Sequence, residues 1–163
     1  SLSPFLERTH AEKIFMSDGI VIRDARPDDL AAIVGVLTAC QLPAADLTAE
    51  SIANFHLAEA EDGQIVGVAG LDRAGSRGLL RSVAVAPHCR GKGLGEELVR
   101  RCETAALVAG VTEAYLLTTT ASEFFRRLGY QEISRGVVPA EIAAHAQFRS
   151  ICPATADCLG KKL

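Results

Sequence analysis

The run Cys89-Arg90-Gly91-Lys92-Gly93-Leu94-Gly95 constrains this chain more than any other stretch. Before it lies Leu79 to Ala86, almost wholly apolar apart from Arg81 and Ser82, the pattern of a central buried strand. After it, Leu94, Leu98, Cys102, Ala105 and Ala109 recur at helical spacing, and Gly110 supplies a stop. A strand that feeds a turn of three glycines and two cations, and then a helix N-terminus, makes an anion site. The first N–H groups of a helix have no internal acceptor, and the helix dipole adds positive potential there. Glycine lets the backbone close on oxygens without a Cβ in the way. Arg90 and Lys92 bring charge to the same place, so a diphosphate is the expected guest.

Two common diphosphate loops do not fit. A Walker A loop requires Gly-x-x-x-x-Gly-Lys-Ser/Thr, but Gly91-Lys92 is followed by Gly93 and preceded five residues earlier by Ala86. A dinucleotide fingerprint needs a third glycine at Glu96 or Leu98, and neither position has one. Arg-x-x-Gly-x-Gly does fit, as Arg90, Gly93 and Gly95.

Composition narrows the frame around that turn. The 163 residues suit one domain, and 48% hydrophobic residues are ample for a core. Seventeen Lys and Arg against twenty Asp and Glu leave a net charge of −3, which argues against a nucleic-acid or anionic-membrane surface. No apolar run reaches the ~18–20 residues of a membrane span. The five cysteines, Cys40, Cys89, Cys102, Cys152 and Cys158, are odd in number and irregular in spacing, unlike a secreted disulfide framework. The expectation is therefore a soluble, reduced, cytoplasmic protein. Residues 1–16 lack a signal-peptide pattern and read as a disordered extension or an expression remnant, with a single domain over 17–163.

Periodicity gives the remaining elements. Ile20 to Arg23 reads as a strand, and Pro27, Asp28 and Asp29 open a helix whose apolar positions are Leu30, Ile33, Val34 and Leu37. A short helix is predicted over Ala49–Asn54. Phe55–Ala60 and Gln64–Asp72 flank an Asp-Gly turn as a hairpin, and Leu79–Ala86 continues the meander. Val111–Thr118 is a strand rich in β-branched and aromatic residues. Thr120 to Glu123 has the form of a capping box for a short helix with Phe124, Phe125 and Leu128. Tyr130–Ser134, a helix over Pro139–Phe148 and a strand over Asp157–Leu163 complete the order. The fold class is α/β, with a mixed, mostly antiparallel central sheet of six to seven strands flanked by helices.

In that order the motifs resemble the GNAT acetyltransferase superfamily across about residues 19–163. They are the Ser82–Pro87 strand end, the Arg90–Gly95 turn, and Ala121-Ser122-Glu123-Phe124-Phe125-Arg126-Arg127-Leu128-Gly129-Tyr130. Leu116 to Thr120, Phe124 to Tyr130 and Phe148 to Pro153 are similar to the arsenic-resistance-associated subgroup. The resemblance implies acetyl-CoA as donor, no metal, and a small-molecule amine as acceptor, of which an amino-acid-like or arsenic-bearing toxin is one form. It implies splayed fourth and fifth strands with the donor entering between them. Val83 and Val85 would offer main-chain groups to the pantetheine arm, and Arg90, Gly91, Lys92, Gly93, Leu94 and Gly95 would wrap the pyrophosphate. Thr118 and Phe125 would lie against the donor, and transfer would be direct within a ternary complex.

Two family features are missing. The usual tyrosine of the short helix is Phe125, and the frequent glutamate of the fourth strand corresponds to Leu79. The catalytic acid and base are therefore unassigned, with Tyr115, Tyr130 and His88 as candidates and Arg81 as a candidate substrate contact. For each, the plainer alternative is a half-buried aromatic with a satisfied hydroxyl, an exposed turn histidine, or a solvated strand face. A thiophilic site at Cys152 and Cys158 ranks below two small buried hydrophobes. A non-catalytic acyl-CoA-binding sensor remains the alternative function, and a homodimer is one assembly left open.

Overall fold

The computed structural model describes residues 13–15, 19–151 and 154–163, with side chains from Gly19 to Arg149 and from Ala154 onward. Cys152 and most of the expected extension over 1–16 lie outside the described residues. The elements are β1 (Lys13–Phe15), β2 (Val21–Asp24), α1 (Leu30–Ala39), β3 (Phe55–Glu59), β4 (Ile65–Ala74), β5 (Arg77–Val85) and α2 (Leu94–Val108). They continue with β6 (Glu113–Thr118), α3 (Ser122–Arg127), β7 (Gln131–Glu132), α4 (Ala140–Ala143) and β8 (Asp157–Lys162). Contacts divide the chain into two compact units, Ser1–Gly70 with Ser82–Val99, and Leu71–Arg81 with Arg100–Leu163. Strands β4 and β5 and helix α2 each contribute residues to both.

In the first unit the hydrogen-bonded neighbours run β1-β2-β3-β4-β5. The β1–β2, β2–β3 and β3–β4 ladders are antiparallel, with Ile22 opposite Ala58 and Leu57 opposite Val68. The core gathers Ile33 and Leu37 of α1, Ile52, Phe55, Leu57, Val68 and Ala84, so α1 packs the stripe its periodicity forecasts. Asp29 does more than favour a helix start. Its two carboxylate oxygens each accept from Arg23 at 2.9 Å, and Arg23 Nε donates to Glu59 at 2.6 Å. Arg23 and Asp29 are both buried, and this pairing holds the Asp29 carboxyl below its ordinary range.

In the second unit the order is β4-β5-β6-β8-β7. The two-residue Gly75-Ser76 connection makes β4 and β5 an antiparallel hairpin. The one parallel ladder described runs from Arg77↔Glu113 to Leu79↔Tyr115. Strand β8 then inserts antiparallel between β6 and β7, pairing β6 from Glu113↔Lys162 to Thr118↔Asp157. The sheet is thus mixed and mostly antiparallel, as expected from sequence.

Some local expectations fail. Lys13–Phe15 pairs with β2 within the stretch assigned to an extension. The helix expected over Pro139–Phe148 stops at Ala143, and Gln147–Ile151 forms a wide π turn. Thr120–Glu123 is not a capping box: Thr118 Oγ1 accepts from the Ala121 N–H at 3.0 Å, and Glu123 accepts from Arg126. On α2 the buried positions are Leu94, Leu98, Val99, Cys102, Glu103 and Ala106, whereas Ala105 and Ala109 are exposed. The buried face keeps the four-residue step Leu94, Leu98, Cys102, Ala106, where the expected stripe took a three-residue step to Ala105.

Candidate active site

The first unit carries the glycine turn. Alternation along β5 buries Ala84 in the core and leaves Val83 and Val85 half-exposed. Within β5, Ser82 has a φ of 59°, in the left-handed region. A non-glycine residue there is strained, and such strain collects at functional sites. The Ala86 N–H donates to the Val66 carbonyl at 2.8 Å, closing the strand, and Pro87–Cys89 then makes one 3-10 turn with Cys89 buried beneath it.

Gly91 and Gly93 follow with φ of 81° and 82°, values that only glycine adopts without strain. A Cβ at either would meet no atom within 4 Å. Backbone conformation, and not crowding, therefore requires glycine, and the space beside both Cα atoms admits another molecule. The first helical bond of α2 is Glu97 N–H to Gly93 at 3.1 Å, so the N–H groups of Leu94 and Gly95 precede any intrahelical acceptor. These features fit a diphosphate. Glu96 and Glu97 share the same helix end, and Arg90 and Lys92 oppose their charge.

Arg90 itself is arranged unexpectedly. Its Nε donates to the Val85 carbonyl at 2.9 Å and its Nη2 lies 3.5 Å from Cys40 Sγ, which in turn lies 3.7 Å from the same carbonyl. Of the main-chain groups expected to meet the donor arm, the Val85 carbonyl thus already has two donors. His88 sits on the exposed surface of the 3-10 turn.

The second unit holds the other candidates, and their polar groups are mostly engaged. Tyr115 donates to Glu113 Oε1 at 2.9 Å, and Arg77 donates to the same oxygen at 3.0 Å. Arg77 holds the Glu113 carboxyl below its ordinary range, while partial burial and then Glu113 push Tyr115 up. Tyr130 is buried and donates to Glu103 Oε2 at 2.9 Å. Lys161 Nζ reaches that oxygen at 3.0 Å and the Leu128 carbonyl at 2.8 Å. Burial, and then the Glu103 charge, push the Tyr130 hydroxyl well above its ordinary range. A phenol held this way already has an acceptor for its proton, Glu103.

Phe125 is buried and packs edge-on against Phe124 and Tyr130, with ring centroids 5.0 and 6.0 Å away. Thr118 Oγ1 accepts from Ala121 and, at 3.4 Å, from Thr120, which leaves its hydroxyl proton for another acceptor. Arg81 is buried with Nη1 3.3 Å from Asp72 Oδ2, so a solvated strand face does not describe it. The same oxygen meets His145 Nε2 at 2.8 Å, and His145 Nδ1 accepts from the Gln147 N–H, which makes Nε2 the protonated nitrogen.

Sequence reasoning misses the left-handed backbone of Ser82, the Cys40–Arg90–Val85 contacts and Glu103. Only Glu103 leaves a trace, as a carboxylate four residues after Val99 on the buried face of α2. Cys158 is a buried free thiol, and burial raises it above the ordinary thiol range. Among the described residues no group of three His, Cys, Asp or Glu is arranged to hold a metal, and no helix is long and apolar enough to cross a membrane.

Comparison with known proteins adds to this geometry. Residues 51–132 match the acetyltransferase (GNAT) domain model. An N-acetyltransferase of Chlorobaculum tepidum, itself uncharacterised, is 35% identical over 94 residues, covering 57% of this chain and 59% of its own. An amino-acid acetyltransferase of Ralstonia nicotianae is 28% identical over 148 residues, covering 79% of this chain and 33% of its own. The chain therefore spans between a third and three fifths of the length of these relatives. Among solved structures, N-acetylglutamate synthase of Neisseria gonorrhoeae, complexed with coenzyme A and N-acetyl-glutamate, superposes with a TM-score of 0.76 at 22% identity. That superposition covers 88% of this chain and 35% of the other. A Mycobacterium tuberculosis protein solved with CoA gives a TM-score of 0.74 at 25% identity, covering 87% and 98%.

Proposed function

This chain belongs to the GNAT acetyltransferase family, and on that premise we propose that it transfers the acetyl group of acetyl-CoA to the primary amine of a small, amino-acid-like acceptor. The observation that carries the reading is the pair of left-handed glycines, Gly91 and Gly93, set where an apolar strand meets a helix N-terminus with open space beside both. The amino-acid class is supported by the amino-acid acetyltransferase relatives and by the N-acetyl-glutamate complex of a structural neighbour. An arsenic-bearing amino acid falls within that class.

Gly91, Gly93, Leu94 and Gly95 would hold the diphosphate through N–H groups, with Lys92 adding positive charge. Val83 would face the pantetheine arm through its main chain. The donor supplies an activated acetyl thioester. The chain's task is to hold a neutral amine against the thioester carbonyl and to offer a main-chain N–H to the developing oxyanion. A thiolate is a far better leaving group than an alkoxide, so transfer does not require a tyrosine proton. Phe125 is compatible with that chemistry, and the hydroxyls of Tyr115 and Tyr130 are committed to Glu113 and Glu103.

The test is thiol release from acetyl-CoA across ordinary amino acids, arsenic-bearing amino acids and polyamines. Release that rises with one amine, and an acetylated amine in the mass spectrum, is the expected result. Tight acetyl-CoA binding without release by any amine would replace the enzyme with an acyl-CoA sensor.

A further inference from the structure

Arg90 stands first in the Arg-x-x-Gly-x-Gly pattern, where its charge suggests a phosphate ligand, but its contacts give it different work. Its Nε and Nη2 are directed to the Val85 carbonyl, at 2.9 Å, and to Cys40 Sγ, at 3.5 Å. Those two nitrogens form one edge of the guanidinium fork, the edge that would otherwise take a phosphate bidentately. Cys40 completes a closed triangle by approaching the same carbonyl at 3.7 Å. It is also the C-cap of α1, its own N–H donating to the Val36 and Leu37 carbonyls, which holds its backbone at the helix end.

We propose that Arg90, Cys40 and the Val85 carbonyl form a clip that positions the end of β5 for the thioester-bearing arm of the donor, with Arg90 acting as a positioning residue and not as a diphosphate ligand. The proposal rests on the acetyl-CoA reading. Val85 is the last residue of β5, and its carbonyl shares one planar peptide with the Ala86 N–H that donates to Val66. A guanidinium and a thiol on the carbonyl edge fill its two lone pairs, so that peptide is held from both edges at the strand end. Holding a reacting arm in register is worth more to transfer than one added charge on an exposed phosphate, because surface charges are screened. Diphosphate binding then falls to the backbone of Gly91–Gly95 and to Lys92.

The roles separate with two donors. Acetyl-CoA carries the diphosphate; S-acetylpantetheine has the same thioester arm and no phosphate. Dissociation constants are measured for both on the wild-type protein and on Arg90→Ala, Cys40→Ala, Cys40→Ser and Gly93→Glu, with thermal melting as a fold control. Arg90→Ala should weaken both donors by the same factor, about ten-fold, as for loss of a charge-assisted hydrogen bond. Cys40→Ala should weaken both by about three-fold, since a thiol is a weak donor, and Cys40→Ser should restore most of that. Gly93→Glu should weaken acetyl-CoA alone. An Arg90→Ala loss confined to acetyl-CoA, with S-acetylpantetheine unchanged, would overturn the clip and make Arg90 a phosphate ligand. Wild-type protein that binds neither donor would overturn the acetyl-CoA reading itself, and the clip with it.

Discussion

The Arg90–Gly95 turn and the cluster around Tyr130 are built in opposite ways. In the turn, two glycines hold left-handed backbone, most side chains are exposed, and open space lies beside the Cα atoms. Around Tyr130 the ring is buried, its hydroxyl is spent on Glu103, and Lys161 closes the group from β8 with its ammonium 5.4 Å from the ring centroid. The contrast teaches where this chain keeps its chemistry. Tyr115 and Tyr130 spend their hydroxyls on Glu113 and Glu103, while the turn presents main-chain dipoles beside the exposed Arg90 and Lys92. Under the proposed transfer, the chain would rely on positioning and backbone polarisation more than on acid–base side chains.

That division can be broken in descending order of effect. Lys161→Met should cost about 3 kcal/mol in urea unfolding, because it removes the nearer and less exposed of the two cations on the buried Glu103, leaving only Arg100 at 3.9 Å. A loss near zero would mean that the Glu103 cluster is not structural. Asp29→Asn should cost about 2 kcal/mol at pH 7 through its two charged hydrogen bonds with Arg23. The folded carboxyl titrates below its ordinary value, so its contribution is fully present above about pH 4 and fades as pH falls through the folded value. The unfolding curves of the wild type and the Asp29→Asn variant should therefore converge only in strong acid; a difference that is flat with pH would sink the ion-pair account.

Tyr130→Phe should cost about 1 kcal/mol and leave amine-dependent turnover unchanged. Turnover that collapses while stability holds would return Tyr130 to the role of proton donor. The smallest change expected is His88→Ala, an exposed turn substitution worth under about 0.5 kcal/mol, with its pH–rate profile unmoved. Loss of a limb near neutral pH would identify His88 as the base.

Legibility in the sequence follows the same contrast. The turn is readable because left-handed backbone demands glycine and leaves a residue-type signature at Gly91 and Gly93. The hairpin at Gly63 and the amphipathic face of α1 are readable for similarly local reasons, a turn residue and a period. The fate of Tyr130 is not, since Glu103 lies 27 residues before it and Lys161 lies 58 residues beyond Glu103. The contacts of the Arg90 side chain escape the sequence for the same cause: Cys40 lies 50 residues away, and nothing local announces it. The helix forecast over Pro139–Phe148 breaks because His145 turns to accept from Gln147 and to meet Asp72, contacts that periodicity does not encode.

The central claim is that the glycine turn holds the diphosphate of acetyl-CoA through its backbone. Calorimetric titration of acetyl-CoA into the wild-type protein and into the Gly93→Glu, Gly95→Glu double variant tests it most directly. The account predicts micromolar or tighter binding to the wild type and none measurable to a folded double variant, since two carboxylates would occupy the anion site and one would strain a left-handed residue. Equal affinity in the two proteins would contradict it.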